Sequence, residues 1–184
     1  LLPNRIRDQE ARIGWRLLWD GKTTTGWRGV KRDDFPEKGW EIRDGELHVL
    51  TGDGGESTNG GDIITTDHFS DFELRFEFKP SPGANSGVKY FVNPGMNKGA
   101  GSAIGLEYQI LDDDRHLDAK KGVAGNRTTG SLYDLITAKV LDVPGRGKEL
   151  KIGEWNRGRI VVRGGQVEHW LNGYKVVEYD RFSQ

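Results

Sequence analysis

The stretch RGRIVVRGGQVEHWLNGYKVVEYD, residues 157–180, decides the fold class. It holds three short runs rich in β-branched and aromatic residues, separated by the pairs Gly164-Gly165 and Asn172-Gly173. Gly-Gly and Asn-Gly readily adopt the positive backbone φ angles that two-residue hairpin turns require. The stretch therefore predicts three consecutive antiparallel strands, over residues 157–163, 166–171 and 174–180.

The same kind of pattern continues toward the N-terminus. DFELRFEFKP, residues 71–80, places apolar side chains two residues apart, which is the period of a strand with one buried face. WEIRDGELHVL, residues 40–50, predicts a hairpin with Asp44-Gly45 at its turn. Further strands are predicted over residues 88–92, 105–111 and 130–136. Gly- and Pro-rich loops, turns or connections are predicted over residues 51–61, 80–87, 93–102 and 139–150.

These elements predict an all-β protein. The pattern gives roughly 11 or 12 strands, no long amphipathic helix and no repeat of the length seen in propellers or solenoids. A chain of 184 residues fits one domain of this kind. We expect a two-sheet antiparallel β-sandwich of the jelly-roll type over residues 14–184, preceded by a tail or short helix over residues 1–13.

Composition excludes several classes of function. The net charge of −1 gives no electrostatic reason to expect a nucleic-acid partner. The absence of Cys excludes thiolate catalysis and Cys-based zinc sites. No apolar run approaches the roughly 18 residues of a membrane span, so no transmembrane segment is predicted. The motifs GxSxG, HExxH and the P-loop are also missing, which argues against serine hydrolase, zincin and NTPase chemistry.

The chain begins with LLPNRIRDQEAR rather than with Met. We therefore expect that an export signal has been removed and that the protein is periplasmic, displayed on the cell surface or secreted. The oligomeric state is not predicted by any feature of the sequence.

GLEYQILDDDRH, residues 105–116, holds the strongest candidates for chemistry. Its apolar residues alternate, so Glu107 and Gln109 share the opposite face of the predicted strand. A carboxylate beside an amide suits the recognition and chemistry of a sugar, and an imidazole such as that of His116 is a natural proton shuttle. The alternative is an ordinary solvated sheet face.

Two other strands carry charged residues that could take part. Arg75 and Glu77 share one face with Glu73, and carboxylates on one strand face could form an acid/base pair acting on a sugar. Lys89 lies between apolar residues, where a cation could stabilise a developing oxyanion. The alternatives are a solvated outer face for the first group and an outward-pointing lysine for the second.

The acidic run from Asp112 to Asp114 has two interpretations. Carboxylate oxygens are the ligands that calcium prefers, so the run could hold a divalent cation, although its spacing matches no EF-hand loop. Alternatively, the Asp side chains cap a turn in a solvated loop. The identity of any metal ligands stays open at this point.

Taken together, the segments resemble the bacterial 3-keto-disaccharide hydrolase family, which has a concanavalin A-like lectin/glucanase sandwich. The resemblance covers residues 15–180 and rests on the order and spacing of its segments. One departure is Phe91, since some members of the family carry Arg near the end of this strand. The segments are LLWDGKTTTGW (17–27), WEIRDGEL (40–47), DFELRFEFK (71–79), NSGVKYFV (85–92), GLEYQILDDDRH (105–116), GSLYDLI (130–136), GEWNRGRIVV (153–162) and HWLNGYKVVEYD (169–180).

The resemblance implies a substrate, which is a disaccharide or other glycoside already oxidised to a ketone at C3 of one sugar. A C3 ketone acidifies the C2 proton, so a base can remove it and the enolate can expel the C1 oxygen, after which water adds. In this hypothesis Glu107 is the base or the acid, His116 is its partner, and Lys89 stabilises the enolate oxygen. The remaining predicted substrate-binding residues are Arg75, Glu77, Gln109 and Tyr133, with Asp112 positioning His116 or binding a metal.

Three other functions remain open at the level of sequence. The same fold hosts non-catalytic carbohydrate-binding modules, and fold alone does not fix function. A retaining endo-glycosidase of the laminarinase type would carry an ExDxE strand, which neither ELRFEF nor GLEYQIL provides. The third possibility is a structural or interaction domain of an outer-membrane complex.

Overall fold

The computed structural model describes residues 4–52, 58–96 and 101–183. The predicted loops over 51–61 and 93–102 therefore lie partly outside the described residues. In the described residues the chain forms ten strands, one short helix and one 3-10 turn. They are α1 (Asp8–Arg12), β1 (Trp27–Gly29), β2 (Trp40–Arg43), β3 (Glu46–Val49), β4 (Ile63–Thr65), β5 (Phe72–Phe78), β6 (Asn85–Asn93), β7 (Ile104–Leu111), the 3-10 turn (Leu117–Lys120), β8 (Asn156–Arg163), β9 (Gln166–Leu171) and β10 (Tyr174–Asp180).

The predicted all-β class is confirmed, and the strand pairs of the structure are antiparallel. The short helix α1 is one of the two forms predicted for the N-terminal segment. No helix in the described part of the chain is long and apolar enough to cross a membrane.

The described residues form two compact units. The first comprises the described residues of 1–68 and 93–104, and it contains the pair β1–β4 and the hairpin β2–β3. The predicted turn of this hairpin is confirmed, because Asp44 and Gly45 have φ angles of 55° and 77°. In the same unit the indole Nε1 of Trp40 donates a hydrogen bond to the Gly61 carbonyl at 2.9 Å.

The second unit comprises the described residues of 69–92 and 105–184. It contains a four-stranded sheet with the order β10-β9-β8-β5, and the pair β6–β7. The predicted C-terminal meander is confirmed, with positive φ angles at Gly164, Asn172 and Gly173 in its two turns. The predicted single domain over residues 14–184 stays a prediction.

The core of the second unit lies between the four-stranded sheet and the β6–β7 pair. Phe76 of β5 packs edge-on against Tyr108 of β7, with ring centroids 5.3 Å apart. The packing of one sheet on the other is the sandwich that the alternating pattern predicts. The buried apolar residues of this core are Phe78, Tyr90, Tyr108, Ile110, Leu132, Ala138, Ile160, Val162, Val167, Leu171, Val176 and Val177.

Two predicted boundaries differ from the structure. The predicted turn over 80–87 is too long, since β6 already begins at Asn85 and its polar start is tied to β7 by a bond from Gln109 Nε2 to Asn85 Oδ1 of 3.2 Å. The predicted strand over 130–136 makes only isolated bridges, because the chain turns at Asp134, where φ is 61°. Its first residues still pair with β7, and that pairing matters for the site.

Candidate active site

The candidate site lies on the face of β6 and β7 that points away from the core. Tyr90 and Tyr108 are buried in the core, so strand alternation sends their neighbours Lys89 and Glu107 to the other side. Tyr133 joins this face, because its backbone N–H donates to the Glu107 carbonyl at 3.0 Å while the preceding residue, Leu132, lies in the core. We call the surface formed by Lys89, Glu107, Gln109 and Tyr133 the outer face of the β6–β7 pair.

The carboxylate of Glu107 lies directly across Gly87 of the neighbouring strand. A Cβ atom added at Gly87 would overlap a Glu107 carboxylate oxygen and lie 2.8 Å from Cδ. Gly87 thus makes the space that the Glu107 side chain occupies. The sequence predicted that Glu107 points to this face, but the need for a glycine opposite it appears only in the structure.

Gln109 is two residues from Glu107 on the same face, but its side chain is enclosed. Its exposed fraction is 1%, and its amide nitrogen donates to Asn85 as described above. Because the Asn85 oxygen can only accept, this bond fixes which end of the Gln109 amide is the donor. The amide is therefore held in one orientation.

His116 caps the 3-10 turn, and this restricts its chemistry. Its Nδ1 accepts a hydrogen bond from the Asp118 backbone N–H at 3.2 Å. An accepting Nδ1 carries no proton, so the neutral ring carries its proton on Nε2 and is a donor there. Protonation would place a hydrogen on Nδ1, facing the Asp118 N–H, and would break the cap. The geometry favours His116 as a hydrogen-bond donor over the proton shuttle predicted from sequence.

Asp118 connects His116 to Tyr133. Its Oδ2 accepts from the Tyr133 hydroxyl at 2.8 Å, and its Oδ1 accepts from Arg127 Nη1 at 2.9 Å. Burial raises the pKa of Asp118, but the hydrogen bonds from Tyr133 and Arg127 outweigh it and hold the pKa below its usual value. Burial and the bond to Asp118 raise the pKa of Tyr133, so the pair consists of a neutral phenol and an ionised carboxylate.

Sequence reasoning missed both Asp118 and Arg127. Asp118 lies in the first turn after His116, which is an ordinary position for an acidic residue at the start of a helical turn. The Arg127 guanidinium, which bonds to Asp118, also pairs with Asp134 and lies over the Tyr133 ring, 5.2 Å from its centroid. These contacts join loop segments, and strand periodicity carries no signal for them.

The structure favours the turn-capping interpretation of Asp112. Its side chain is fully buried, and its oxygens accept from the backbone N–H groups of Gly83 at 2.8 Å and Arg115 at 3.2 Å. The Gly83 bond is the largest influence on its pKa, which is lowered. The next carboxylate, Asp113, accepts from the Thr129 backbone N–H at 2.7 Å.

The acidic run does not fit the interpretation as a calcium site. The carboxylate oxygens of Asp112 and Asp113 accept hydrogen bonds from backbone N–H groups of the protein, and Asp113 also forms an ion pair with Lys148 at 2.7 Å. Nowhere in residues 4–52, 58–96 and 101–183 do three or more His, Asp or Glu side chains form a group that could hold a metal ion.

Arg75 and Glu77 are not brought together with Glu107. Both point away from the core on β5, so they lie on the outer face of the four-stranded sheet, on the other side of the sandwich. There Arg75 pairs with Glu73 at 2.9 Å and Glu77 pairs with Arg157 at 3.3 Å. This is the solvated charged face that was the alternative interpretation, and we leave both residues out of the candidate site.

The fold is an antiparallel β-sandwich with a cluster of polar and charged groups on one outer face. Within this class, the chain belongs to the family described as the 3-keto-alpha-glucoside-1,2-lyase-like domain, whose sequence model matches residues 14–184. This confirms the resemblance noted in the sequence.

Individual relatives agree with the family. The chain is 41% identical over 176 residues to a 3-keto-disaccharide hydrolase of Bacteroides thetaiotaomicron, and the match covers 90% of this chain and 58% of that protein. The chain thus spans little more than half of this relative's length.

Solved structures show the same fold. A "putative glycosyl hydrolase" of Parabacteroides distasonis has a TM-score of 0.77 and 30% identity, with 98% of this chain and 79% of that chain covered. A second structure of the same description has a TM-score of 0.59 and 29% identity, with 84% and 72% covered.

Proposed function

We propose that the protein cleaves the glycosidic bond of 3-keto-glycosides, including 3-keto-disaccharides, by elimination followed by hydration. The observation that carries the proposal is the Glu107 carboxylate, which lies across Gly87 on the outer face of the β6–β7 pair, where the Tyr133 backbone N–H is bonded to the Glu107 backbone carbonyl. Membership of the family and the name of the Bacteroides relative supply the substrate class.

In the first step Glu107 takes the proton from C2 of the ketosugar. The electrons of the C2–H bond form the C1=C2 double bond, and the C1–O bond breaks with the leaving oxygen taking a proton. Negative charge that develops on the C3 oxygen is stabilised by the ammonium of Lys89, which lies on the same face. Water then adds its hydroxyl to C1 and a proton to C2, which releases the free ketosugar.

The other polar groups orient the sugar. The Tyr133 hydroxyl, fixed by Asp118, presents a hydrogen-bonding group of defined direction, while the enclosed Gln109 amide is bonded to Asn85 within the β6–β7 pair. Groups held this way hold a substrate at low entropic cost, which is the main advantage of a rigid sheet face as a site. The Nε2–H of His116 is available to donate to an oxygen of the substrate.

The test is a comparison of matched substrates. The purified protein is given a 3-keto-disaccharide and its unoxidised parent, and the release of free sugar is followed over time. We expect cleavage of the keto form alone, because the parent has no acidic C2 proton. Saturable binding of the ketosugar without cleavage, across several linkages, would favour a carbohydrate-binding module. Equal cleavage of the unoxidised parent would favour a conventional glycosidase.

A further inference from the structure

We propose that Asp118 fixes the hydrogen-bonding polarity of the site: it makes the Tyr133 hydroxyl an acceptor, and the His116 imidazole a donor, toward the bound sugar. The inference rests on the proposed function for the identity of the ligand, but the two polarities are properties of the protein itself. Asp118 acts through its neighbours and is therefore a positioning residue.

The polarity of Tyr133 follows from its single proton. The phenol donates that proton to Asp118 Oδ2 at 2.8 Å, so only its lone pairs remain for a ligand. A sugar hydroxyl can donate to such an oxygen, whereas a ketone, which only accepts, cannot. Tyr133 therefore recognises a free hydroxyl, and the C3 carbonyl lies against donors elsewhere on the face.

The polarity of His116 is opposite. The Asp118 backbone N–H occupies Nδ1, which leaves the Nε2–H as the group that the ring offers. A donor suits the C3 carbonyl or the glycosidic oxygen. One residue thus sets both an acceptor and a donor, through its carboxylate and its backbone N–H respectively.

Arg127 binds two carboxylates, those of Asp118 and Asp134, so Asp134 provides a matched control for Asp118. Its Nη1 donates to Asp118 Oδ1 at 2.9 Å, while its Nε donates to Asp134 at 2.9 Å and its Nη2 donates to the same carboxylate at 3.1 Å. The Asp134 side chain is 49% exposed. Among the described contacts, its carboxylate bonds to Arg127 and to neither Tyr133 nor His116.

The decisive variant is Asp118→Asn. Arg127 only donates, so it takes the single remaining oxygen, and the amide nitrogen then faces Tyr133 and donates to it. This reverses the Tyr133 hydroxyl from acceptor to donor with almost no change in shape. We expect kcat/KM on a 3-keto-glycoside to fall by about tenfold or more, mainly through KM. Asp134→Asn should stay within about twofold of wild type.

Fluorinated substrates read the polarity directly. Fluorine accepts weakly but cannot donate, so replacing the hydroxyl that meets Tyr133 should impair the wild type strongly. In a series of monofluorinated 3-keto-glycosides, fluorine at one position should lower kcat/KM of the wild type strongly. The same substitution should lower kcat/KM less in Asp118→Asn and in Tyr133→Phe. An equal penalty in all three proteins, or an effect of Asp134→Asn as large as that of Asp118→Asn, overturns the proposal.

Two readouts need no substrate and so separate this inference from the proposed function. The ¹⁵N NMR signals of the neutral His116 ring should show a proton on Nε2 and none on Nδ1. The alkaline titration of Tyr133, isolated by difference from Tyr133→Phe, should begin at a lower pH in Asp118→Asn, because the Asp118 charge opposes ionisation of the phenol. A protonated Nδ1, or an unchanged titration, contradicts the assigned polarities even where the ketosugar is cleaved.

Discussion

At the scale of single residues, the mechanism depends on Glu107. Replacement by Gln keeps the size of the side chain but removes the basic oxygen, so turnover of the 3-keto-glycoside should fall by at least about 10²-fold. Glu77→Gln is the matched control, because Glu77 lies on the other outer face of the sandwich and should leave turnover unchanged. Turnover close to wild type in Glu107→Gln would remove Glu107 from the proton transfer.

The role of His116 can be separated from its place in the fold. Asn is a good capping residue, so His116→Asn keeps the acceptor for the Asp118 N–H, whereas His116→Ala loses it. If His116 only caps the turn and donates to substrate, His116→Asn should retain much more activity than His116→Ala. Equal and complete inactivity of the two variants, with both folded by circular dichroism, would instead favour a proton-transfer role for the imidazole.

Residues on regular strands were the most predictable part of the site. Alternation along β7 predicted that Glu107 and Gln109 share a face, and the structure places them so. The same rule placed Arg75 and Glu77 on one face of β5, but periodicity cannot say which of two sheets a strand joins. Asp118 and Arg127 lie in loops and were not predictable from any period.

At the scale of elements, the close approach of β6 to the Glu107 side chain can be tested at Gly87. An alanine there places a methyl group where the Glu107 carboxylate lies, so Gly87→Ala should displace the carboxylate and lower kcat strongly while β6 still pairs with β7. Gly147→Ala is the control, since nothing lies within 4 Å of its added Cβ. Full activity of Gly87→Ala would show that the position of Glu107 is not critical.

The elements also show where sequence patterns stop being informative. Two-residue turns with Gly or Asn predicted the β8–β9–β10 meander with one difference of a single residue at the start of β8, because turn type and strand twist are coupled locally. Residues 130–136 looked like a strand, yet the Leu132 N–H bonds to the Ile136 carbonyl and the chain turns back. That turn leaves Tyr133 beside Glu107, and it depends on contacts between segments distant in sequence.

At the scale of the whole second unit, a buried polar chain joins the two sheets. His169 of β9 is fully buried, with Nδ1 2.9 Å from the Gly130 carbonyl and Nε2 2.7 Å from the Tyr90 hydroxyl. Because a carbonyl only accepts, Nδ1 carries the proton and Tyr90 donates to Nε2. The Tyr90 oxygen lies 2.8 Å from the Tyr179 hydroxyl. A neutral His169 imidazole can make both of these hydrogen bonds, whereas an imidazolium has no acceptor on Nε2 for the Tyr90 hydroxyl.

The buried hydrogen bonds of His169 predict how the stability of the fold depends on pH. Burial lowers the pKa of His169 from 6.5 to about 4. As pH falls below 6.5, the imidazole of the unfolded protein binds a proton before that of the folded protein does. The contribution of neutral His169 to the free energy of unfolding is therefore complete above pH 6.5 and is lost toward pH 4. The loss amounts to roughly 3 kcal/mol at most. In urea unfolding, His169→Gln should be less stable at pH 7 and should lose less stability between pH 6.5 and 4 than wild type. Parallel losses in the two proteins would contradict this assignment.

The central claim is that the glycosidic bond breaks by removal of the C2 proton, and it is tested most directly by cleaving a 3-keto-glycoside in D₂O. The proton that Glu107 takes from C2 passes to the leaving oxygen or exchanges with solvent. Hydration of the C1=C2 intermediate then takes its C2 hydrogen from D₂O, so the released ketosugar should carry one deuterium at C2 from the first turnovers. The same ketosugar incubated with Glu107→Gln measures background exchange. Cleavage at an undiminished rate with no deuterium at C2 beyond that background would contradict the account.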